Sequence, residues 1–322
     1  MKKSIFSFYF KDIFLKDKPL LVFLNNISIN IVSGKDSKIY LQNQFTNDIT
    51  DLKENNYGFG SHCDVNGKII SVFLIFNNCL NNYIYLQRKS ISKIQNLEIK
   101  KYAIFSKVDI HTSTSLAAYG VFGKNSKIFL EKYFNISFKN NNLIKKNDFI
   151  FLKINGIIKR YIIIANYKKI ECLENKKNFH FETKKNFLWD LLNMEIGFPI
   201  LEEKNCRKFF PFSLNLKKFN CISFKKGCYK GQEILSKIKY KNINNKRLFL
   251  IYGVSEKIPK IGENIFEYIK NTFIFSGKVL FSIKMNKFVF VQCVLKSTVN
   301  KCSSLKINSI KKIFFYIKKI YI

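Results

Sequence analysis

The sequence predicts an α+β fold that ends in a small β-barrel, and two observations support this prediction. Strands and helices follow one another in two successive blocks without regular strand–helix–strand alternation, which argues against a doubly wound parallel sheet. After Arg247 the chain contains only short strands separated by turns. We therefore expect an α+β region at 1–245, with sub-blocks at about 1–113 and 114–245, and a C-terminal β-barrel domain at 246–322.

The first sub-block opens with two apolar strands and one helix. Asp36 or Ser37 is a residue type that caps a helix N-terminus, and apolar residues follow it. Asn66-Gly67 is a strong signal for a two-residue hairpin turn. The predicted strands lie at 20–23, 27–32, 61–64, 68–76, 83–87 and 108–111, and a second helix lies at 90–102.

The second sub-block repeats this order of elements. Asn155-Gly156 predicts another hairpin, and Thr183 is expected to cap the helix that carries Trp189 and Glu195. The predicted strands lie at 116–121, 149–154 and 157–164, and the shorter helices lie at 125–133 and 168–173.

The C-terminal domain is predicted from closely spaced apolar segments and turn dipeptides. Ser276-Gly277 and Met285-Asn286 are interpreted as turns. The tail at 310–322 alternates lysine pairs with apolar residues, so it is expected to be a closing strand or helix of the barrel, with a membrane-surface helix as the alternative. The predicted strands lie at 248–252, 272–275, 278–283, 287–294 and 305–307.

Composition restricts the class of protein. The 322 residues are 47% hydrophobic, which indicates a globular protein, and the net charge of +34 suits a polyanionic partner such as nucleic acid. The composition also fits an AT-rich genome, because Lys, Asn, Ile, Phe and Tyr are abundant. Such a genome would raise the lysine content of the whole chain, so part of the positive charge has an alternative explanation. Eight cysteines without a secretory signal predict a cytoplasmic protein with reduced thiols. No apolar run reaches the roughly 18 residues that a membrane-spanning helix needs. Cysteine and histidine do not occur at the spacings typical of a zinc site, so no structural metal site is predicted.

The most informative stretch is 225–233, where two glycines bracket a cysteine and a tyrosine. Gly227 and Gly231 predict a tight loop, and Gln232-Glu233 begins a helical pattern. Neighbouring lysines and a helix N-terminus favour a thiolate. Cys228 is therefore a candidate functional thiol, although a buried and inert cysteine is the plain alternative.

One aromatic residue and one acid are candidates for ligand binding. Trp189 is the only tryptophan in the chain, and its indole could stack on a planar heterocycle. Glu195 lies six residues further on and could accept two N–H bonds from an amino-pyrimidinone edge. A core tryptophan and a surface acid are the simpler interpretations of the same residues.

The whole pattern resembles the YgfZ family, whose members are folate-binding, tRNA-modification proteins related to the aminomethyltransferase of glycine cleavage. The resemblance is carried by the run Lys226-Gly227-Cys228-Tyr229-Lys230-Gly231-Gln232-Glu233. It extends in order through nearly the whole chain, at 33–37, 42–48, 62–64, 67–68, 101–108, 194–199 and 245–247.

This resemblance implies a folate-binding aminomethyltransferase-like body with a tetrahydrofolate-type ligand in a central opening. Trp189 matches a tryptophan that the family uses for folate, and Glu195 matches the pterin-contacting acid of the wider superfamily. Ile27 replaces the family's other folate-associated tryptophan. Cys228 matches the key thiol, and we expect Lys226 and Tyr229 to support it.

The resemblance further implies support for the assembly or repair of iron–sulfur enzymes, including a tRNA methylthiolation enzyme. Ser71 stands where aminomethyltransferases carry a catalytic aspartate, and a serine cannot supply that charge. An accessory folate-binding protein is therefore favoured over a turnover enzyme. A folate-dependent one-carbon transferase and a tRNA-binding protein that uses the basic face at 225–247 remain as alternatives.

Overall fold

The structure is a computed structural model that describes residues 19–156, 158–174, 182–183 and 185–321. These residues form two β-sheets with flanking helices and a closed C-terminal barrel, so the predicted α+β class with a terminal barrel is confirmed. The helices are α1 (Ser37–Gln44), α2 (Lys89–Lys100), α3 (Ser126–Phe134), α4 (Tyr167–Glu174), α5 (Phe187–Ile196) and α6 (Gln232–Lys241).

The first sheet is antiparallel, with strand order β3-β4-β5-β2-β6. Side chains alternate between its two faces, as the pleat requires. Phe73 and Ile75 pack with residues of α1 and α2, whereas Val72 and Leu74 face the central core of the molecule. Its strands are β2 (Ile27–Ser33), β3 (Gly58–Cys63), β4 (Ile69–Cys79), β5 (Asn82–Arg88) and β6 (Asp109–Thr112).

The second sheet has the order β11-β1-β7-β10-β9-β8, in which only the β1–β11 pair is parallel. Tyr161 and Ile163 pack in a separate cluster that includes residues of α3 and α4, while Ile162 and Ile164 face the central core. Strand β1 lies in the first predicted sub-block, but it pairs with β7 and β11 of the second sheet. The strands are β1 (Leu20–Phe23), β7 (Leu116–Phe122), β8 (Leu143–Lys146), β9 (Phe149–Ile154), β10 (Arg160–Asn166) and β11 (Glu182–Thr183).

The barrel closes in the order β12-β15-β14-β13-β16-β17. Its interior holds residues such as Phe249 and Val291, whereas Leu248 and Leu250 on the alternate face join the central core. The two sheets and the barrel therefore share one apolar core. The strands are β12 (Lys246–Val254), β13 (Asn264–Ile269), β14 (Thr272–Met285), β15 (Phe288–Lys296), β16 (Leu305–Ile307) and β17 (Ile310–Tyr321).

Two local predictions are wrong. Ser276-Gly277 is not a turn, because β14 runs straight through it and absorbs one extra residue as a bulge opposite β13. Gly277 is needed there, since a Cβ would lie 2.0 Å from the carbonyl oxygen of Val294. Thr183 does not cap α5. It pairs with Leu21 in the second sheet, and the helix begins at Phe187 after Asn186.

The remaining local predictions concern the tail and the shorter strands. The tail forms β17 and closes the barrel as a strand, which is one of the two forms expected for it in this domain. Strands β8 and β13 were not predicted, because both are short and carry polar or charged residues at several positions. Ile157 and Ile322 lie outside the described residues.

Candidate functional site

The loop that holds Cys228 is fastened to the end of α1 and to the segment that follows it. The ammonium of Lys226 donates to the carbonyl oxygens of Phe45 and Asn47, both at 2.7 Å. The backbone N–H of Lys230 donates to the carbonyl oxygen of Asn43 at 3.1 Å. Burial lowers the pKa of Lys226 to about 8, although the charge of Asp48 opposes the shift. Lys226 therefore positions the loop through backbone acceptors.

An ion-pair cluster around the buried Glu98 holds the other end of the loop. Lys230 pairs with one carboxylate oxygen of Glu98, while Arg207 and Lys101 approach the other at 2.9 and 3.0 Å. Burial alone would raise the pKa of Glu98, but hydrogen bonds and charge from Lys230 and Lys101 outweigh it and lower the pKa to about 2. The cluster joins α2 to the loop and to the segment that contains Arg207.

The two glycines of the motif have different roles. Gly231 adopts φ +82° immediately before α6, and a Cβ there would lie 2.5 Å from the carbonyl oxygen of Asp64. A Cβ on Gly227 would meet nothing within 4 Å. Gln232 accepts the backbone N–H of Tyr229 at 3.0 Å, while Glu233 is exposed and pairs with Lys237 at 2.6 Å.

The thiol and the tyrosine of the motif point into different surroundings. Cys228 is a free and exposed cysteine. Tyr229 is only 5% exposed, and burial raises the pKa of its hydroxyl. The Lys226 ammonium lies 5.0 Å from the centre of the Tyr229 ring. Tyr229 therefore secures the loop from the inside while Cys228 stays accessible.

Trp189 lines an inner cavity of about 70 Å³ between the two sheets. Its indole packs against Gly120, where a Cβ would lie 2.4 Å from a ring carbon. The guanidinium of Arg160 lies 4.6 Å from the ring centre and donates to Asn193 at 2.8 Å. Burial lowers the pKa of Arg160 to about 10, which leaves it charged at neutral pH. Ile27 lines the same cavity, so these two predicted residues lie together.

Gln87 is a cavity residue that the sequence reasoning missed. Its amide oxygen accepts the hydroxyl of Ser71 at 2.5 Å, and both side chains are buried. The amide nitrogen of Gln87 is buried and has no hydrogen-bond partner among the described residues. The sequence did contain one signal for this residue, because Gln87 is a polar residue that follows a run of apolar and aromatic residues in strand β5. The cavity therefore offers one free N–H donor beside apolar walls.

Glu195 lies on α5 but not on the wall of the inner cavity. Its two carboxylate oxygens pair with Lys318 and Lys319 of β17. Burial lowers the pKa of Lys318 to about 8, while the charge and hydrogen bond of Glu195 oppose that shift. The adjacent Gly197 packs against the ring of Tyr321. This helix end is thus fixed to the closing strand of the barrel.

A wide outer cleft of about 1360 Å³ adjoins the inner cavity, and Phe59 lines both. The cleft walls come from the first sheet, the segment before α6, and the barrel. Lys225 of the motif lines it, whereas Cys228 lines neither space. Its cationic lining residues are Lys217, Lys218, Lys225, Lys239 and Arg247.

In residues 19–156, 158–174, 182–183 and 185–321, no group of three or more His, Cys, Asp or Glu side chains is arranged to hold a metal ion. Within the same ranges, none of the helices combines the length and apolar character needed to cross a bilayer.

This arrangement of two sheets and a barrel defines an aminomethyltransferase-like fold. The structure matches the glycine cleavage system aminomethyltransferase T of Bartonella henselae with a TM-score of 0.71, over 94% of this chain and 85% of that one. The sequence identity is 10%, so this likeness describes the fold alone.

The particular family follows from sequence relatives. The chain is 37% identical over 286 residues to the tRNA-modifying protein YgfZ of Buchnera aphidicola subsp. Schizaphis graminum, covering 88% of this chain and 89% of that protein. It is 29% identical over 289 residues to the tRNA-modifying protein YgfZ of Escherichia coli strain SE11, covering 89% and 88%. No protein-family model matches the chain. The chain belongs to the YgfZ family, as its motif resemblance indicated.

Proposed function

We propose that this protein binds a tetrahydrofolate-type ligand and acts in tRNA modification as an accessory factor for iron–sulfur enzymes. The role in tRNA modification is supported by family membership, because the relatives are named for it. The observation that carries folate binding is the inner cavity, where Trp189 and the free amide of Gln87 meet beside a cationic cleft. A cytoplasmic location fits these partners.

The cavity residues fit the chemistry of a pterin. The walls are mainly apolar but include Arg88 and Arg160, Trp189 supplies an aromatic surface, and Gln87 offers an N–H to a ring carbonyl or ring nitrogen. Ligand pockets usually enclose about 300–1,000 Å³. A cavity of about 70 Å³ must therefore open on binding, and face-to-face stacking on Trp189 requires Arg160 to move.

The outer cleft fits the other end of a folate. A folate carries a glutamate tail with carboxylates. The cleft presents four lysines and one arginine, which outnumber its two acids, Asp48 and Asp51. Phe59, which lines both spaces, would lie at the junction between the heterocycle and the tail. For Glu195 to contact the pterin edge, Lys318 or Lys319 must first release it.

Cys228 is the proposed functional thiol. Its exposure suits contact with a partner protein, and the loop that displays it is held by Lys226, Tyr229 and Lys230. These three residues are positioning residues for the thiol. A one-carbon transferase is less well supported, because Ser71 is buried against Gln87 and carries no charge.

Tetrahydrofolate titration against tryptophan fluorescence tests the proposal directly, since Trp189 is the only tryptophan. We expect saturable quenching. Gln87→Leu should weaken binding about tenfold, because a hydrogen bond of roughly 1.5 kcal/mol is lost. Ile274→Ala on the barrel is the matched control and should bind like the wild type. Unchanged fluorescence together with no binding heat by calorimetry would exclude a folate site.

A further inference from the structure

The outer surface of the barrel carries a row of aromatic side chains that the folate proposal does not use. Phe266 and Tyr268 of β13 lie opposite Phe275 and Phe273 of β14 in the sheet register. Tyr268 and Phe273 have ring centres 5.0 Å apart, and Tyr268 lies 6.1 Å from Phe314 of β17. We call these five residues the barrel aromatic face.

A lysine lies in the middle of this face. Lys306 of β16 pairs with Phe266 in the register, and its ammonium lies 4.4 Å from the ring centre of Phe273 and 4.6 Å from that of Phe314. A cation held between two rings can reach the phosphate that links two stacked bases. Tyr268 is 41% exposed, Phe273 45% and Phe275 41%, so solvent reaches the rings.

The positive charge of the barrel segment at 264–321 indicates what kind of partner the barrel aromatic face can bind. From Asn264 to Tyr321 the sequence has eleven lysines and one acidic residue, and two of the lysines, Lys318 and Lys319, pair with Glu195 of α5. The acidic residue of the segment, Glu267, is buried and accepts hydrogen bonds from Ser276 and Ser303. A second copy of this chain would bring the same positive charge and be repelled. A polyanion with exposed planar groups complements both the lysines and the rings.

We propose that the barrel aromatic face binds a single-stranded RNA segment, with unpaired bases stacked on Phe273, Tyr268 and Phe275 and a phosphate paired with Lys306. Aromatic side chains on a sheet surface, interleaved with lysines, suit unstacked bases and the backbone between them. An anionic membrane is a less suitable partner. A hairpin that inserts into a bilayer needs an apolar tip, whereas the tip of the β13–β14 hairpin is formed by Lys270 and Asn271. That the natural RNA is a tRNA rests on the proposed function. The inference that the barrel aromatic face binds single-stranded RNA does not depend on it.

Fluorescence anisotropy of the full chain with a labelled single-stranded RNA 12-mer tests this surface. Wild type should bind the single strand more tightly than a duplex of the same sequence. Phe273→Ala should weaken binding about 5- to 150-fold, the range for loss of one stacked base. Phe273→Leu should weaken it nearly as much, because apolar bulk without a ring cannot stack. Lys306→Gln should lower the salt dependence of log Kd by about 0.7.

The control is Ile274→Ala, which removes a similarly exposed apolar side chain next to Phe273 and should leave binding unchanged. Equal loss in Ile274→Ala and Phe273→Ala would overturn the proposal, as would equal affinity for duplex and single strand. Binding to phosphatidylserine vesicles but not to RNA would overturn it in favour of a membrane. Circular dichroism of every variant reports on folding, and tetrahydrofolate quenching of Trp189 reports separately on the folate site.

Discussion

At the scale of single residues, exposure separates the side chains that hold the motif from the one that can react. Lys226 and Lys230 look alike in sequence, as cations beside a thiol. In the structure Lys226 binds carbonyl oxygens and Lys230 binds Glu98. Cys228 alone among the motif's central residues combines exposure with nucleophilic chemistry.

The Cys228→Ser exchange should therefore change activity without changing the fold. Its side chain is exposed, so we expect the free energy of unfolding to stay within about 0.5 kcal/mol of wild type. In cells, tRNA methylthiolation should fall towards the level of a deletion strain, as measured by mass spectrometry of modified nucleosides. Cys302→Ser, at another exposed cysteine, is the control. Normal methylthiolation in Cys228→Ser would remove the thiol from the mechanism.

Sequence reasoning could place some residues of the candidate site but not their partners. Trp189 and Ile27 were expected to share a site, and both line the inner cavity. Gln87 and Arg160 gave only weak local signals. Their contribution depends on contacts with Ser71 and Trp189, which lie 16 and 29 positions away in the chain. Such pairings follow from sheet packing, which local sequence patterns do not encode.

At the scale of elements, the start of α6 depends on a close approach between two turns. Gly231 lies against the Asn66-Gly67 hairpin turn, and Gly67 in turn packs against Leu235 and Ile234 of the helix. The two glycine-containing segments, 164 positions apart, therefore fit each other. The hairpin was predicted from its dipeptide, but this contact requires the tertiary fold.

Gly231→Ala and Gly227→Ala form a matched pair within this element. Gly231→Ala should cost about 1–3 kcal/mol, because a side chain at φ +82° is strained and its Cβ would meet the backbone of Asp64. Gly227→Ala should be nearly neutral, since open space surrounds it. Urea denaturation followed by circular dichroism measures both. Equal effects of the two substitutions would contradict the role assigned to Gly231.

At the scale of the whole molecule, alternation and turn dipeptides predicted most strands, while closure of the barrel and division of the sheets depended on long-range pairing. Strand β1 pairs with β7 and β11, which follow it by about 95 and 160 positions. The bulge at Ser276 was mistaken for a turn because serine and glycine favour both structures. Local chemistry could not distinguish them without the neighbouring strand β13.

The contact of Glu195 with Lys318 and Lys319 connects the α+β body to the barrel, and its removal tests both of its possible roles. Glu195→Gln should destabilise the protein by about 3 kcal/mol, because it leaves Lys318, whose side chain is 9% exposed, without its counter-charge. Adding Lys318→Met should recover much of that loss, since the buried charge is gone. Urea denaturation of both single variants and the double variant gives the coupling energy.

The same three variants separate a structural role of Glu195 from ligand contact. If Glu195 only holds the barrel against α5, the double variant should bind tetrahydrofolate like the wild type once its stability is restored. If the carboxylate also accepts N–H bonds from a pterin, the double variant should bind about tenfold or more weakly despite recovered stability, because a charge-assisted hydrogen bond is worth roughly 1.5–3 kcal/mol. Additive stability effects would show that the Glu195–Lys318 pair does not couple the body to the barrel.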